Sequence, residues 1–210
     1  MKRIAESSVR RLSLYLRYLE DFEQRGHKTI SSEALARCGG TTSAQVRKDL
    51  SFFGSFGKRG LGYPVPALAV ELRKILGIGR DWRIVIVGAG KIGSALAQYK
   101  GFRQHGFTLV GIFDRDPARV GKKVDGVTVR PMAHFDADLR KMKPHIAILT
   151  VPADAAQDIV DRLTKNGIRA ILNFAPTGVT SRDDVTVRNV NMALELEVLS
   201  YALVHTRDDG

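Results

Sequence analysis

A glycine-rich motif at residues 88–93 carries the most specific chemistry in this sequence. It reads G-x-G-x-x-G and stands between an apolar run that ends at Val87 and an apolar helical pattern. Glycines at this spacing allow a tight turn, a close approach of the backbone to a diphosphate, and close packing of helix on strand. The alternative is a glycine turn that serves packing alone. The motif predicts a dinucleotide site formed by Gly88, Ala89, Gly90, Lys91, Ile92 and Gly93.

An acidic residue follows at the distance that such a site requires. Asp114 ends the next strand pattern, about 20 residues after the last glycine. A carboxylate there accepts hydrogen bonds from the hydroxyls of the adenosine ribose and repels a ribose 2′-phosphate. Arg115 follows directly and offsets part of that repulsion. The pair favours NAD(H) as the ligand and leaves NADP(H) as the second choice.

Two later strand patterns end in further candidate residues. The carboxyl ends of parallel strands line the ligand crevice of doubly wound sheets, so residues at these ends could border the nicotinamide. The alternative is that the prolines at these positions only end the strands. The candidates are Thr150, Val151, Pro152, Asn173, Phe174 and Pro176.

Positive charge is concentrated in the first part of the chain. The sequence has 33 Lys and Arg against 22 Asp and Glu, and by its letters residues 1–80 hold 15 of the basic and 7 of the acidic residues. Such an excess is typical of proteins that bind nucleic acid or an acidic membrane surface, although surface lysines also serve solubility alone. Local motifs must decide between these readings.

A helical segment at residues 44–53 has the pattern of a DNA-recognition helix, with one apolar face and polar or basic residues on the others. Val46, Leu50 and Phe53 share one face, and the polar and basic residues project elsewhere. Arg can read guanine, Gln can read adenine, and Lys or Ser can contact phosphate. A solvated basic helix is the alternative. With the capping residues included, the candidate DNA contacts are Thr42, Ser43, Gln45, Arg47, Lys48 and Ser51.

Four glycines at positions 54, 57, 60 and 62 follow this helix. They predict a tight hairpin with a basic tip at Lys58, Arg59 and Gly60. A basic wing of this kind can enter the narrow minor groove, where the negative potential is enhanced. Helix and wing together predict a winged helix-turn-helix domain over residues 1–79.

Residues 80–190 show alternating strand and helix patterns. Nearly continuous apolar strands separated by helices predict an α/β fold with a doubly wound, Rossmann-type parallel sheet. The helix after the glycine motif is expected to run from Ile92 to about Gln104. In the first domain, Ser7 or Ser8 is expected to cap the opening helix. Residues 191–210 are expected to form a C-terminal dimerisation helix.

The lone cysteine and the absence of long apolar runs bear on the compartment. Cys38 excludes an intrachain disulfide and a cysteine-based zinc site, and we expect it to be buried in a helix. No run reaches the ~18 apolar residues that a membrane span needs, and no apolar signal region follows the N-terminus. We therefore expect a cytoplasmic protein without a metal site.

Four segments resemble the signature segments of the Rex family of redox-sensing transcriptional repressors. The first two, residues 44–54 and 57–63, are the most specific, whereas a G-x-G-x-x-G motif is shared by many enzymes. The other two are residues 148–152 and 171–176. The resemblance extends over about residues 9–205. It implies a homodimer that binds palindromic operator DNA when NADH is scarce and leaves the DNA when NADH binds, so that repression follows the NADH/NAD⁺ ratio.

The resemblance also implies a C-terminal helix that is swapped between subunits. Over residues 192–204 the only polar positions are Glu195, Glu197 and Ser200. This segment is too apolar for a helix packed on one face, and burial by a partner explains it more simply.

A redox switch is a third implication of the resemblance. The family couples nicotinamide to domain orientation through a tyrosine, an arginine and an aspartate, and Tyr99 and Arg17 match the first two. The third position is Asn191, where the family usually has Asp. Asparagine can hydrogen-bond but cannot form an ion pair, so we expect an altered or weaker coupling.

Two other function classes remain in competition at this point. An NAD-dependent dehydrogenase would need an acid or base beside the nicotinamide, but His105, His134 and His145 are isolated in the sequence. A nucleotide-binding regulatory subunit would use the first domain to dock a protein, for which a basic wing has no evident use. A redox-sensing repressor that is not an enzyme is the preferred hypothesis.

Overall fold

The computed structural model describes residues 4–57 and 60–205. The chain divides into two compact units, residues 1–80 and 81–210. Among the described residues, no helix is both long and apolar enough to cross a bilayer. The same residues contain no cluster of three or more His, Cys, Asp or Glu side chains that could hold a metal ion.

The first unit is a helical domain with one short sheet. Its elements are α1 (Glu6–Gln24), β1 (Thr29–Ile30), α2 (Ser32–Cys38), α3 (Ser43–Ser51), β2 (Tyr63–Pro64) and α4 (Val65–Ile75). The apolar stripe of α1 packs with α3 and α4 around a core that contains Leu12, Tyr15, Leu16, Val46 and Leu68. This core holds α3, the predicted recognition helix, by its apolar face.

The helix caps agree only in part with the predicted ones. The side chains of Ser31 and Thr42 cap α2 and α3, accepting hydrogen bonds from backbone nitrogens at 3.0 and 3.1 Å. The predicted cap of α1 by Ser7 or Ser8 is wrong, because Ala5 holds that position without a side-chain hydrogen bond. Ser8 lies within the helix, where its buried hydroxyl accepts a hydrogen bond from Arg11.

The predicted glycine hairpin is not formed by two strands of its own. The described residues between Gly54 and Leu61 contain no strand, and β2 pairs antiparallel with β1. Gly62 has a φ of +78° and leaves no room for a Cβ beside the Ile30 carbonyl, so a glycine permits this pairing. Lys58 and Arg59 lie outside the described residues.

The second unit is built on a seven-stranded sheet. Its strands are β3 (Trp82–Val87), β4 (Phe107–Asp114), β5 (Lys123–Val124), β6 (Val127–Pro131), β7 (Ile146–Leu149), β8 (Ala170–Asn173) and β9 (Thr186–Asn189). The order in the sheet is β5-β6-β4-β3-β7-β8-β9, and all neighbours except β5 and β6 run parallel. The strand order reverses between β3 and β7, which is where doubly wound sheets bind ligands.

Helices complete the second unit. They are α5 (Lys91–Ala97), α6 (Gly101–Gln104), α7 (Phe135–Met142), α8 (Ala153–Lys165) and α9 (Met192–His205). Alternate strand residues enter two apolar clusters, with Val85 and Val87 in one and Ile84 and Ile86 in the other. These two clusters explain the nearly continuous apolar strands, and the predicted α/β class is confirmed.

Two local predictions need correction, and one local feature was not predicted. The single helix from Ile92 to Gln104 is wrong, because α5 ends at Ala97 and α6 begins at Gly101, where a Cβ would meet the ring of Tyr99. The β5–β6 hairpin was not predicted, although its turn residues Asp125 and Gly126, both with positive φ, are a hairpin signal. Cys38 ends α2 and is half-buried rather than buried.

Candidate functional site

The glycine motif forms a tight turn between β3 and α5. Gly88 has a φ of +101°, and its nitrogen donates to the Phe113 carbonyl at 2.8 Å. A Cβ at Gly88 would meet the Thr150 carbonyl, and a Cβ at Gly93 would meet the Gly88 carbonyl. At Gly90, by contrast, the nearest atom to a Cβ would be a nitrogen of Arg119 at 3.8 Å. The first and third glycines are therefore required by packing, and the second is at the open side of the turn.

Thr150 supports this turn. Its hydroxyl donates to the Gly88 carbonyl at 2.7 Å, and its backbone nitrogen donates to the Val87 carbonyl at 2.8 Å. The side chain is thus engaged with the backbone of the glycine motif. Thr150 therefore holds the shape of the turn, and its predicted place beside the nicotinamide stays a prediction.

Asp114 joins the end of β4 to the glycine motif. It is only 5% exposed, and its carboxylate accepts hydrogen bonds from the backbone nitrogens of Ala89 at 2.6 Å and Asp116 at 2.8 Å. A third bond comes from Arg119 at 3.2 Å. Burial alone would raise the pKa of Asp114, but these hydrogen bonds outweigh it and hold the pKa below its ordinary value. The carboxylate is ionised and retains acceptor capacity for ribose hydroxyls.

A cavity of about 750 Å³ opens beside Asp114. Five of the predicted cofactor residues line it: Gly88, Asp114, Arg115, Val151 and Pro152. It also has residues that the sequence did not single out, above all Arg119, which forms ion pairs with Asp114 at 3.2 Å and Asp116 at 3.4 Å. The only sequence feature that could have indicated Arg119 is its basic side chain, five positions after Asp114. The cavity combines apolar walls with charged groups, as nucleotide sites do.

The remaining predicted cofactor residues do not line this cavity. Asn173 is fully buried, and its amide donates to Thr177 and Asn189 and accepts from the backbone of Ala175, at 2.8 to 2.9 Å. Phe174 packs against an apolar cluster of the sheet, and Pro176 is exposed. Lys91 and Ile92 are exposed on α5. Asn173 therefore ties the end of β8 to β9.

On the first unit, α3 carries five of the predicted DNA contacts and exposes three of them to solvent. Val46 and Leu50 are buried, whereas Arg47, Lys48 and Ser51 are exposed. Thr42 is exposed, and Ser43 and Gln45 are half-buried. Arg47 donates to the hydroxyl of Ser32 at 3.0 Å. A cleft of about 720 Å³ is lined by Ser31, Ser32, Arg47, Ser51, Gly60 and neighbouring residues.

The buried carboxylate of Asp49 on α3 was not predicted from the sequence. Asp49 is fully buried and accepts hydrogen bonds from Arg11 at 2.6 and 2.7 Å, from the Tyr15 hydroxyl at 3.0 Å and from the Gln45 amide at 2.9 Å. Burial alone would raise the pKa of Asp49, but these partners lower it below its ordinary value. The network fastens α3 to α1. The sequence feature that could have indicated this network is an acidic residue, Asp49, beside Arg47 and Lys48 in α3.

The three predicted switch residues are exposed in their own units. Arg17 is on the outer face of α1. Tyr99 is 55% exposed, with its ring edge-on to Phe102 at 5.2 Å. The side-chain oxygen of Asn191 accepts a hydrogen bond from the backbone nitrogen of Ala193 at 3.0 Å, at the start of α9.

Comparison with known proteins matches both units. A model for CoA-binding domains matches residues 79–177, and a model for the N-terminus of putative DNA-binding proteins matches residues 3–51. The redox-sensing transcriptional repressor Rex of Carboxydothermus hydrogenoformans is 47% identical over 199 residues, which is 95% of this chain and 96% of that protein. The Rex of Streptomyces coelicolor is 42% identical over 198 residues. The match covers 94% of this chain and 77% of that protein.

Solved structures give the same relationship. A structure of RSP in complex with β-NADH superposes with a TM-score of 0.90 at 38% identity, covering 99% of this chain and 97% of that one. A structure of RSP with β-NAD⁺ and operator DNA has a TM-score of 0.92 at 39% identity, with coverages of 99% and 95%. A further structure describes RSP as a Rex-family repressor. On sequence and structure alike, this chain belongs to the Rex family of redox-sensing transcriptional repressors.

Proposed function

We propose that this protein is a redox-sensing transcriptional repressor that binds operator DNA through its first unit and NAD(H) through its second. One observation carries the proposal. A basic recognition helix and a dinucleotide turn that is closed by a buried acid occur in the same chain. NADH binding releases the protein from DNA, so that repression follows the NADH/NAD⁺ ratio.

The cofactor site is proposed at the turn and the cavity beside Asp114. The carboxylate receives the adenosine ribose hydroxyls, and the backbone at Gly90 faces the diphosphate. Val151 and Pro152 provide apolar contacts. Phe174 and Pro176 follow the neighbouring strand and remain proposed contacts of the nicotinamide half. The buried carboxylate also disfavours the 2′-phosphate of NADP(H).

The DNA site is proposed on α3 and the glycine-rich segment that follows it. Arg47 reads base edges in the major groove, Lys48 and Ser51 contact phosphates, and Lys58 with Arg59 enters the minor groove. The exposure of Arg47, Lys48 and Ser51 supports this assignment. Arg47 can exchange its bond to Ser32 for a guanine without loss of a buried contact, since both side chains are at the surface.

A homodimer that exchanges α9 is part of the proposal. Every residue of α9 is exposed, and Met192, Leu196 and Leu203 are each more than 60% exposed. An apolar hollow of about 290 Å³ also opens on the sheet, lined by Ile84, Ile148 and other residues of β3, β7 and β8. Burying α9 against a second copy removes this apolar surface from water. Two copies match the two halves of a palindromic operator, about 34–36 Å apart.

The coupling between the sites is proposed to pass through Arg17, Tyr99 and Asn191. All three are exposed and available for contacts that form in the dimer. Because Asn191 is uncharged, its bond to Arg17 would be weaker than that of a carboxylate. We further propose that the protein acts as a regulator and not as an enzyme, and that it acts in the cytoplasm.

Operator binding with and without cofactor tests the proposal. Fluorescence anisotropy on a duplex selected from a randomised library should show tight binding with NAD⁺ and at least tenfold weaker binding with NADH. The Asp114→Ala variant is the matched control. It should bind the duplex but respond much less to NADH. Equal affinity of the unaltered protein in both cofactor forms would contradict the sensor function.

A further inference from the structure

The amide of Gln45 is held by one specific partner. Its nitrogen donates to the Asp49 carboxylate at 2.9 Å, one helical turn further along α3. The same carboxylate takes two bonds from Arg11 and one from Tyr15, so that four donors surround it. Asp49 is therefore a fixed, fully buried acceptor at the inner side of Gln45.

The chemistry of this pair decides which way the Gln45 amide points. A carboxylate surrounded by four donors can only accept, so the nitrogen end of the amide must face Asp49. The oxygen end must then face away. Glutamine amides otherwise turn between two orientations of nearly equal shape. Here Asp49 selects one of them.

The remaining groups of Gln45 form a donor–acceptor pair. One of its two N–H groups is taken by Asp49, and within the described part of the chain no group donates to its side-chain oxygen. Gln45 is half-buried and lines a surface cavity of about 520 Å³ that Lys48 and Phe52 also line. A free oxygen and a free N–H are the two groups that recognise N6 and N7 of adenine in the major groove.

We propose that Asp49 is a positioning residue for base recognition, which orients the Gln45 amide so that it reads adenine at one position of each operator half-site. The inference rests on the proposed placement of α3 in the major groove. Arg11 donates two hydrogen bonds to Asp49 and Tyr15 donates one, so Arg11 is the main support of Asp49 on α1. Gln45 touches the base, and Asp49 acts only through it.

The test compares base discrimination rather than affinity alone. A randomised duplex library first selects the operator of the unaltered full-length protein, and each base pair of one half-site is then substituted in turn. We expect discrimination of about 5- to 150-fold at one A·T pair. Gln45→Ala and Asp49→Asn should each reduce it to about twofold or less, because an Asn at this position can donate as well as accept. The double variant should discriminate at the A·T pair as weakly as either single variant, because both substitutions remove the same recognition.

Tyr15→Phe is the matched control for folding. It removes another hydrogen bond from the same carboxylate but leaves the Gln45 bond in place. It should lower thermal stability and keep the discrimination at the A·T pair. Loss of discrimination in Tyr15→Phe as large as in Asp49→Asn would overturn the inference, as would an unchanged profile in Asp49→Asn or Gln45→Ala. Failure of the unaltered protein to select any duplex would instead refute the DNA-binding function itself.

A measurement on the unaltered protein covers the case in which Asp49→Asn does not fold. The two side-chain N–H protons of Gln45 can be followed by NMR. One should exchange slowly with solvent in the free protein, and the second should become protected in the operator complex. Rapid exchange of both in the complex would overturn the inference.

Discussion

The carboxylate of Asp114 lies 2.6 Å from the backbone nitrogen of Ala89, so the acid that ends β4 also closes the glycine turn. One buried side chain thus closes the turn of the proposed diphosphate site, and we propose that it also accepts hydrogen bonds from the ribose. The two effects can be separated by the choice of substitution.

We expect Asp114→Ala to weaken NADH binding by about 10- to 100-fold, because hydrogen bonds to a charged acceptor are lost. Asp114→Asn should lose less, since one amide oxygen still accepts. Titration calorimetry with NADH and with ADP-ribose checks this. An unchanged affinity of the Ala variant would place the ribose elsewhere.

Arg119 is expected to matter more than Arg115, although both line the cavity. Arg119 neutralises Asp114 and Asp116 and lies near Gly90. Its replacement by Gln leaves two carboxylates facing an anionic ligand and should weaken NADH binding by roughly tenfold, most strongly at low ionic strength. Arg115→Gln is the matched control and should weaken NADH binding by about threefold or less. The reverse order in calorimetry would disprove this ranking.

Gly93→Ala should damage both stability and cofactor binding. The added Cβ would meet the Gly88 carbonyl, so the turn must open. Overpacking of this kind costs roughly 1–3 kcal/mol in the free energy of unfolding. Gly178→Ala is the control, because no atom lies within 4 Å of its Cβ position. Thermal melts with and without NADH should separate the two variants, and equal melts would show that the turn can adapt.

Leu199→Lys in α9 should weaken the proposed homodimer. Leu199 is 59% exposed in the single chain, and a lysine would place a charge in the proposed subunit interface. Sedimentation equilibrium should show dissociation at concentrations where the unaltered protein is dimeric. Glu197→Lys, at a position that is already charged, should have a smaller effect. Identical behaviour of both variants and the unaltered protein would exclude α9 from the interface.

The Tyr15 hydroxyl is expected to make the free energy of unfolding fall at alkaline pH. Burial and the bond to Asp49 raise the pKa of Tyr15 to about 12, from an ordinary value of 10.0. Between pH 10 and 12 the unfolded chain loses this proton while the folded chain keeps it, so stability falls as pH rises through that range. Below pH 10 this contribution is constant. Tyr15→Phe should lack this part of the alkaline decline in urea unfolding, and parallel curves for both proteins would contradict the shift.

The sequence by itself determined the family and the α/β class, and it favoured NAD(H) over NADP(H) as the ligand, because these inferences depend on local motifs. The glycine spacing, the acid after the second strand and the basic helix are each read within a short window of the chain. The resemblance to the Rex family and the NAD(H) assignment are confirmed by the relatives and their complexes.

Only the tertiary structure decided which partners the candidate side chains have. Thr150 directly follows β7 and Asn173 ends β8, and their side chains bond to Gly88 and to Asn189, residues distant in the sequence. Arg119 enters the site because it lies in a turn at residues 117–120 that brings its side chain to Asp114. Asp49, an acid in a basic helix, gains its role from two residues of α1. Apart from the pair of Arg119 and Asp114, these contacts join segments far apart in the chain, so no local pattern contains them. The direction of each side chain is set by packing.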